Sequence, residues 1–346
     1  MKRRVWLALL LPAQVILADV SHVSVRQTSF HGWNGAVEMT NGTVRVVVVP
    51  AIGRVMHYGF IGGPNLLWEN AALQGHQLPE GDMLRERGEA VWANFGGDRI
   101  WPTEEKLFPV LNGRVRPPDH WIDGQPWRAI PGRDSLVLIS PVSPLCGARV
   151  IRTLRLAPRG TRLEIHQRLE KVRLAERRDH EPVPLTLWSL TQIPAPDEAY
   201  VSLSARSVFP GRFLAYRWAD LPDNDPAGHF HVEGSVGVFS VDPQRPQKVG
   251  ADAPRFVGAL SGRIVIGEVF PYARNRAYPD GGTSAAIFTS PELAEVECLS
   301  PLASLAVGQS IEHTVAWELL ALPDTALERT VRRRLAVEWL STLKAP

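Results

Sequence analysis

One stretch constrains the fold more than any other, TRLEIHQRLEKV at residues 161–172. Leu163, Ile165, Gln167 and Leu169 take one set of alternate positions, and Glu164, His166, Arg168 and Glu170 take the other. A period of two sends successive side chains to opposite faces of a strand, so this segment turns one face to a core and the other to water. Comparable runs follow one another along the chain. They are TVRVVVVP (43–50), SLVLIS (135–140), RVIRTLRL (149–156), PLTLWSLTQI (184–193), HFHVEGSVGVFSV (229–241), RFVGAL (255–260), RIVIGEVF (263–270), TSAAIFTS (283–290), ELAEVECLS (292–300) and SIEHTVAWELLAL (310–322). Strands this numerous, with no helices alternating between them, exclude a parallel α/β fold. They predict an all-β chain built as a large antiparallel sandwich. The 28 Gly and 29 Pro are spread along the sequence and supply its turns. No composition break divides residues 19–346, which read as a single domain; PDNDPAGH (222–229) is a loop within it.

The two ends differ from this pattern. Lys2, Arg3 and Arg4 precede an apolar run from Val5 to Leu17, and the small Ala18 follows. That is the layout of a secretory signal peptide, residues 1–18, and it predicts an exported, periplasmic or secreted protein with no stable membrane insertion after cleavage. Three of the 38 basic residues lie in this leader, so the remainder carries 35 against 36 acidic residues, close to neutral. No basic stripe interleaved with aromatics occurs, which excludes nucleic acid as a partner. Export would permit a Cys146–Cys298 disulfide, although sequence cannot supply the distance. At the other end, Leu327, Val331, Leu335, Trp339 and Leu343 recur every four residues and predict a helix over about 325–343. Asp324 is placed to cap it, with Arg332–Arg334 on its solvated side.

Four segments concentrate the residue types that bind polar ligands. NFGGDRIWPTEE (94–105) joins two glycines to Asp98, Arg99, Trp101 and Glu104. PPDHWIDGQPW (117–127) sets Asp119 and His120 beside Trp121 and Trp127. Flat rings near acids at loop tips suit a sugar, with the ring covering its apolar face and charged groups meeting its hydroxyls. In LTLWSLTQIP (185–194), Trp188 and Gln192 share one strand face. In ELAEVECLSP (292–301), Glu295 and Glu297 share a face; like charges so placed need water, a cation or a polar ligand opposite them. Crowding raises the pKa of one such acid and suits it to proton transfer. Glu268 and Tyr278 are further candidates. His229, His231 and Glu233 alternate as metal ligands can, but His-x-His alone is weak, and no metal or cofactor is assigned.

LLWEN, GGDRIWP, LWSLTQ and EVECLSPLASLAVGQSIEHTVAWEL, taken in order, resemble an uncharacterised bacterial domain family grouped with the galactose mutarotase-like (aldose epimerase-like) proteins. The resemblance covers most of residues 35–322. It implies a β-supersandwich with a sugar-sized cleft and a carbohydrate ligand, and it points to Glu297 as the general base of an epimerase or mutarotase. Such enzymes pair that glutamate with a histidine acid. Here the corresponding strand carries Trp188, and no histidine lies between His180 and His229, so Asp98 or His120 would have to substitute. A cleft of Asp98, Arg99, Trp101, Glu104, Trp121, Trp188, Gln192, Tyr278, Glu295 and Glu297 is therefore expected, with Asp98 and Glu297 nearest the chemistry. Two alternatives stay open: a glycosidase or polysaccharide lyase, which needs paired carboxylates, and a non-enzymatic periplasmic interaction protein.

Overall fold

The computed structural model describes residues 22–79, 93–112, 118–217, 225–242 and 244–346; the predicted signal peptide lies outside them. Two ten-stranded antiparallel sheets carry the fold. The first runs, edge to edge, through Ser24–Phe30, Trp33–Thr40, Val44–Val49, Arg54–Phe60, Asp98–Trp101, Trp188–Pro194, Leu293–Leu299, Ala285–Thr289, Gln247–Ala251 and Leu214–Ala215. The second runs through Phe230–Glu233, Val236–Ser240, Glu198–Ser202, Phe256–Ser261, Ile264–Val269, Ser310–Ala321, Leu163–Lys171, Ala148–Leu156, Ser135–Ile139 and Arg128–Pro131. Alternate residues of both sheets meet in one apolar interior. Val46, Val48, Ile100, Ile193 and Val296 come from the first sheet, and Leu136, Val150, Leu154, Ile165, Leu169 and Trp317 from the second. The alternation in 161–172 has this cause: Leu163, Ile165, Gln167 and Leu169 are buried, while Glu164, His166, Arg168 and Glu170 are partly exposed.

Two expected strands are each divided. PLTLWSLTQI breaks after Leu185 because Ser300 intrudes on the ladder: its hydroxyl accepts from Leu187 N at 2.8 Å, and its carbonyl accepts from Thr186 Oγ1 at 2.9 Å. HFHVEGSVGVFSV turns back at Gly234 into the hairpin Phe230–Glu233 and Val236–Ser240. The largest departure is GGDRIWP, where Asp98–Trp101 is a buried central strand and not a loop.

The terminal helix spans Arg329–Thr342, shorter than expected. Asp324 does not cap it but pairs with Arg263, and Leu327 is exposed outside it. Ala336, Leu340 and Leu343 bury against the outer face of the second sheet, over Tyr200, Phe256, Val265 and Val269. Gly267 permits that approach, since a Cβ there would lie 2.6 Å from Leu343 Cδ1. The arginine run is not simply a solvated face. Arg329 and Arg333 both grip the buried Glu198, whose carboxyl they hold below its ordinary value against the opposing effect of burial. Cys146 and Cys298 are both free, buried thiols, and no disulfide joins them.

Candidate functional site

Strand register assembles a cleft on the outer face of the first sheet. Trp188 lies opposite Trp101 and Leu299; Leu190 lies opposite Arg99 and Glu297; Gln192 lies opposite Glu295, which in turn faces Phe288. Phe288 pairs with Lys248, whose carbonyl accepts from Tyr216 N. One row of a pleated sheet thus delivers aromatic, acidic and basic groups to a single side. They line a cleft of about 560 Å³, with Trp68, Asn94, Asp280 and Glu292 along its rim and walls.

The double glycine is explained by its neighbours. Gly96 and Gly97 have φ of 94° and 71°. A Cβ on Gly96 would fall 2.1 Å from the Trp68 carbonyl oxygen, and one on Gly97 would fall 2.3 Å from that of Val55. Only glycine lets the LLWEN loop lie this close. Gly97 N then donates to Trp68 O at 2.8 Å, and Trp68 N donates to Gln192 O at 2.8 Å, so the loop bearing Trp68 is fixed to the cleft floor.

Glu297 sits at that floor, 1 % exposed. Its Oε2 accepts from Trp188 Nε1 at 3.0 Å and lies 3.3 Å from Lys248 Nζ. These contacts all fall on Oε2, which leaves Oε1 without a partner among the described residues. Burial pushes the Glu297 carboxyl up to about 8; Lys248 opposes the shift, and Glu295 and Asp280 add to it. For Lys248, burial favours the neutral amine, but Glu297 and Asp280 more than reverse this and hold the ammonium well above its usual value. Asp280 binds the ammonium at 2.8 Å, so two acids share one cation. Lys248 therefore stays charged beside an acid that burial has weakened. The ammonium also sits 4.9 Å from the Trp188 ring and 5.0 Å from that of Tyr216.

A second network stiffens the neighbouring wall. Arg99 Nη2 donates to Glu295 Oε1 at 2.6 Å, and Gln192 Nε2 donates to the same oxygen at 2.7 Å. The Arg99 guanidinium lies 5.0 Å from the Trp101 ring. Asp123 accepts from Trp101 Nε1 at 2.9 Å and is paired with Arg54 at 2.5 Å. The PPDHWIDGQPW segment thus reaches the site through Asp123, which orients Trp101.

Six expected residues reach the cleft or its floor: Arg99, Trp101, Gln192, Glu295 and Glu297 line it, and Trp188 lies beneath, fully buried. Four do not. Asp98 is one residue from Arg99 and so points the other way, into the interior, where it pairs with Arg152 from the second sheet. Burial raises its carboxyl despite that partner. It cannot act as an acid in the cleft. Glu104 is buried and paired with Lys106, while the adjacent Glu105 lines the cleft. Trp121 is buried in its own loop against His120. Tyr278 stacks on Tyr272 and accepts from Ala273 N; two residues on, Asp280, at φ 52°, reaches the cleft instead. Glu268 is interior too, pushed by burial to about 8. His229 and His231 separate, His229 towards Asp242 and His231 towards Glu233 and Arg333. Among the described residues no group of three His, Cys, Asp or Glu could hold a metal. The sequence reading missed Lys248, Tyr216, Asp280, Phe288 and Trp68. Trp68 stood in the quoted LLWEN, and Asp280 in the turn sequence YPDGG; Lys248 is a lone cation in a short strand, with no local sign of its partners.

Two layered antiparallel sheets with an open cleft on one outer face define the galactose mutarotase-like fold. A solved structure from Salmonella typhimurium, described as that of a candidate mutarotase, superposes with a TM-score of 0.51 at 10% sequence identity, covering 87% of this chain and 94% of that one. A galactose mutarotase-like protein from Clostridium acetobutylicum gives 0.49 at 8% identity over 87% and 99% of the two chains. Galactose 1-epimerase from Lactobacillus acidophilus gives 0.43 at 10% identity over 87% and 99%. No protein-family model and no curated protein matches the sequence.

Proposed function

We propose that this is an exported protein that binds a carbohydrate in the cleft and acts on it as an aldose epimerase-type isomerase, with Glu297 exchanging the proton of the anomeric hydroxyl. The observation that carries the reading is the Glu297 carboxyl. One oxygen is held by the Trp188 indole and by Lys248, and the other is left bare in a cleft of about 560 Å³. Such fixation orients the proton-accepting oxygen before a ligand arrives. Ionised Glu297 takes the anomeric proton, and the bond from the anomeric carbon to the ring oxygen breaks as the carbonyl forms. The ring oxygen takes a proton from water in the open cleft. In closure, the ring hydroxyl attacks the other face of the carbonyl and gives its proton back to water, the carbonyl oxygen takes the Glu297 proton, and the other anomer forms. Lys248, beside Oε2, stabilises the ionised form of Glu297 from which the cycle starts. Trp68 supplies a ring face at the wall.

No histidine lines the cleft among the described residues. A positioned general acid contributes about 10²–10⁴ in rate, so turnover through water is correspondingly slower than with a built acid. Polarimetry on a panel of freshly dissolved aldoses tests the reading. Anomer interconversion is expected to be accelerated by the wild type and not by Glu297→Gln, and indistinguishable traces on every sugar would overturn it. The export component is tested by sequencing the N-terminus of the secreted protein, expected at Asp19.

A further inference from the structure

We infer that the cleft selects a cationic carbohydrate, an amino sugar with a free ammonium group, over its neutral parent, and that it rejects acidic sugars. The inference rests on the carbohydrate reading above and narrows its substrate class.

The first observation is a charge imbalance. Among the described residues, Glu105, Asp280, Glu292, Glu295 and Glu297 line the cleft, against Arg99 and Lys248. The second is independent of charge counting and concerns where the donors point. Arg99 Nη2 donates to Glu295, as does Gln192 Nε2; Lys248 is bound by Asp280 and Glu297; the Trp188 indole donates to Glu297. Each of these floor and wall donors is directed at a carboxylate of the protein itself. Acceptors are left over at the floor: Oε1 of the buried Glu297, and Oε1 of the buried Gln192, which has no hydrogen-bond partner. Because the Gln192 amide nitrogen must face Glu295, its oxygen cannot be exchanged into a donor.

A floor whose Lys248, Gln192 and Trp188 donors are turned to the protein's own carboxylates, with acceptors left over, favours a ligand that donates. Sugar hydroxyls do so. An ammonium does so with three hydrogens and a positive charge, and the rings of Trp68, Tyr216 and Phe288 around the same cleft offer it π faces. A carboxylate, sulfate or phosphate on the sugar brings only acceptors. To bind, it would have to displace Glu295 from Arg99 or Asp280 from Lys248, leaving a buried carboxylate uncompensated.

The test is calorimetry at low salt with matched probes: glucose, galactose and mannose, their 2-amino-2-deoxy and N-acetylated derivatives, and glucuronate and galacturonate. At least one amino sugar is expected to bind about tenfold tighter than its neutral parent, an advantage lost on N-acetylation and reduced by added salt. The uronates are expected to give no heat. Glu292→Lys, an exposed rim substitution that leaves the buried networks intact, is expected to reduce the amino-sugar preference and admit uronates. Neutral hexoses binding as well as every amino sugar, or a uronate binding tighter than its parent, would overturn this inference while leaving the carbohydrate reading standing. Absence of binding by any sugar would overturn both.

Discussion

The two faces of the Asp98–Trp101 strand put adjacent residues to opposite uses. Arg99 and Trp101 open on the cleft, while Asp98 and Ile100 enter the space between the sheets. The same split recurs two strands away, where Glu297 faces the cleft and Cys298 donates inwards to Glu268 at 3.4 Å. Both faces hold acids that burial has made weak: Glu297 on one, Asp98 and Glu268 on the other. The difference is access. Inside, Asp98 is closed off by Arg152 and Thr191. Outside, Glu297 keeps one oxygen open. A perturbed acid is a functional candidate only where a ligand can reach it.

The interior arm should show the largest effect. Arg152→Met removes the cation paired with Asp98 and leaves that carboxylate buried without its ion-pair partner, with an expected loss of about 3–5 kcal/mol in denaturant unfolding. A near-neutral result would mean that the pair is not needed to hold the sheets together. On the cleft side, Glu297→Gln should remove about 10²–10⁴ of any mutarotation rate, read by polarimetry, while the unfolding midpoint stays close to wild type.

pH separates the faces again. Glu297 works ionised, so the rate should climb as pH rises towards about 8 and level off above it. Glu268, also at about 8, affects stability without touching the cleft. Between its ordinary value of 4.5 and about 8, the folded chain holds a proton there that the unfolded chain releases. Stability from this group is therefore present at low pH and falls as pH rises through that window. Glu268→Gln should lessen the decline in thermal unfolding midpoint between pH 5 and 8, to which Glu297 also contributes, and leave the rate profile in place. The smallest expected effect concerns the rim. Trp68→Ala should weaken sugar binding by about 1 kcal/mol in calorimetry, because one ring face is lost while Glu297 keeps its partners.

Much of the sandwich was legible because burial on one face writes a period of two into the strands. The segments at 43–50, 135–140, 149–156 and 161–172 correspond to observed strands within a few residues. Short, fully buried or Gly-rich strands carried no such mark. Asp98–Trp101 is buried on both faces and spans four residues, so alternation has no room to show. Lys248 was missed because its value lies in Asp280, Glu297 and Tyr216, which come from three separate segments. The helix start was misplaced because Pro323 and Asp324 mimic a cap, whereas Arg329 and Arg333 bind Glu198 of a distant strand.

By itself, then, the sequence determined the layered antiparallel architecture, the terminal helix and the pairing of Glu295 with Glu297 on one face. These follow from local periodicity, which depends only on neighbours along the chain. Tertiary structure alone decided that Asp98 turns inwards beside Arg99, that Asp280 rather than Tyr278 meets the cleft, and that Lys248 stands over Glu297. Those outcomes depend on which face of the sheet each register presents and on charges brought together from remote segments, and no local pattern records either.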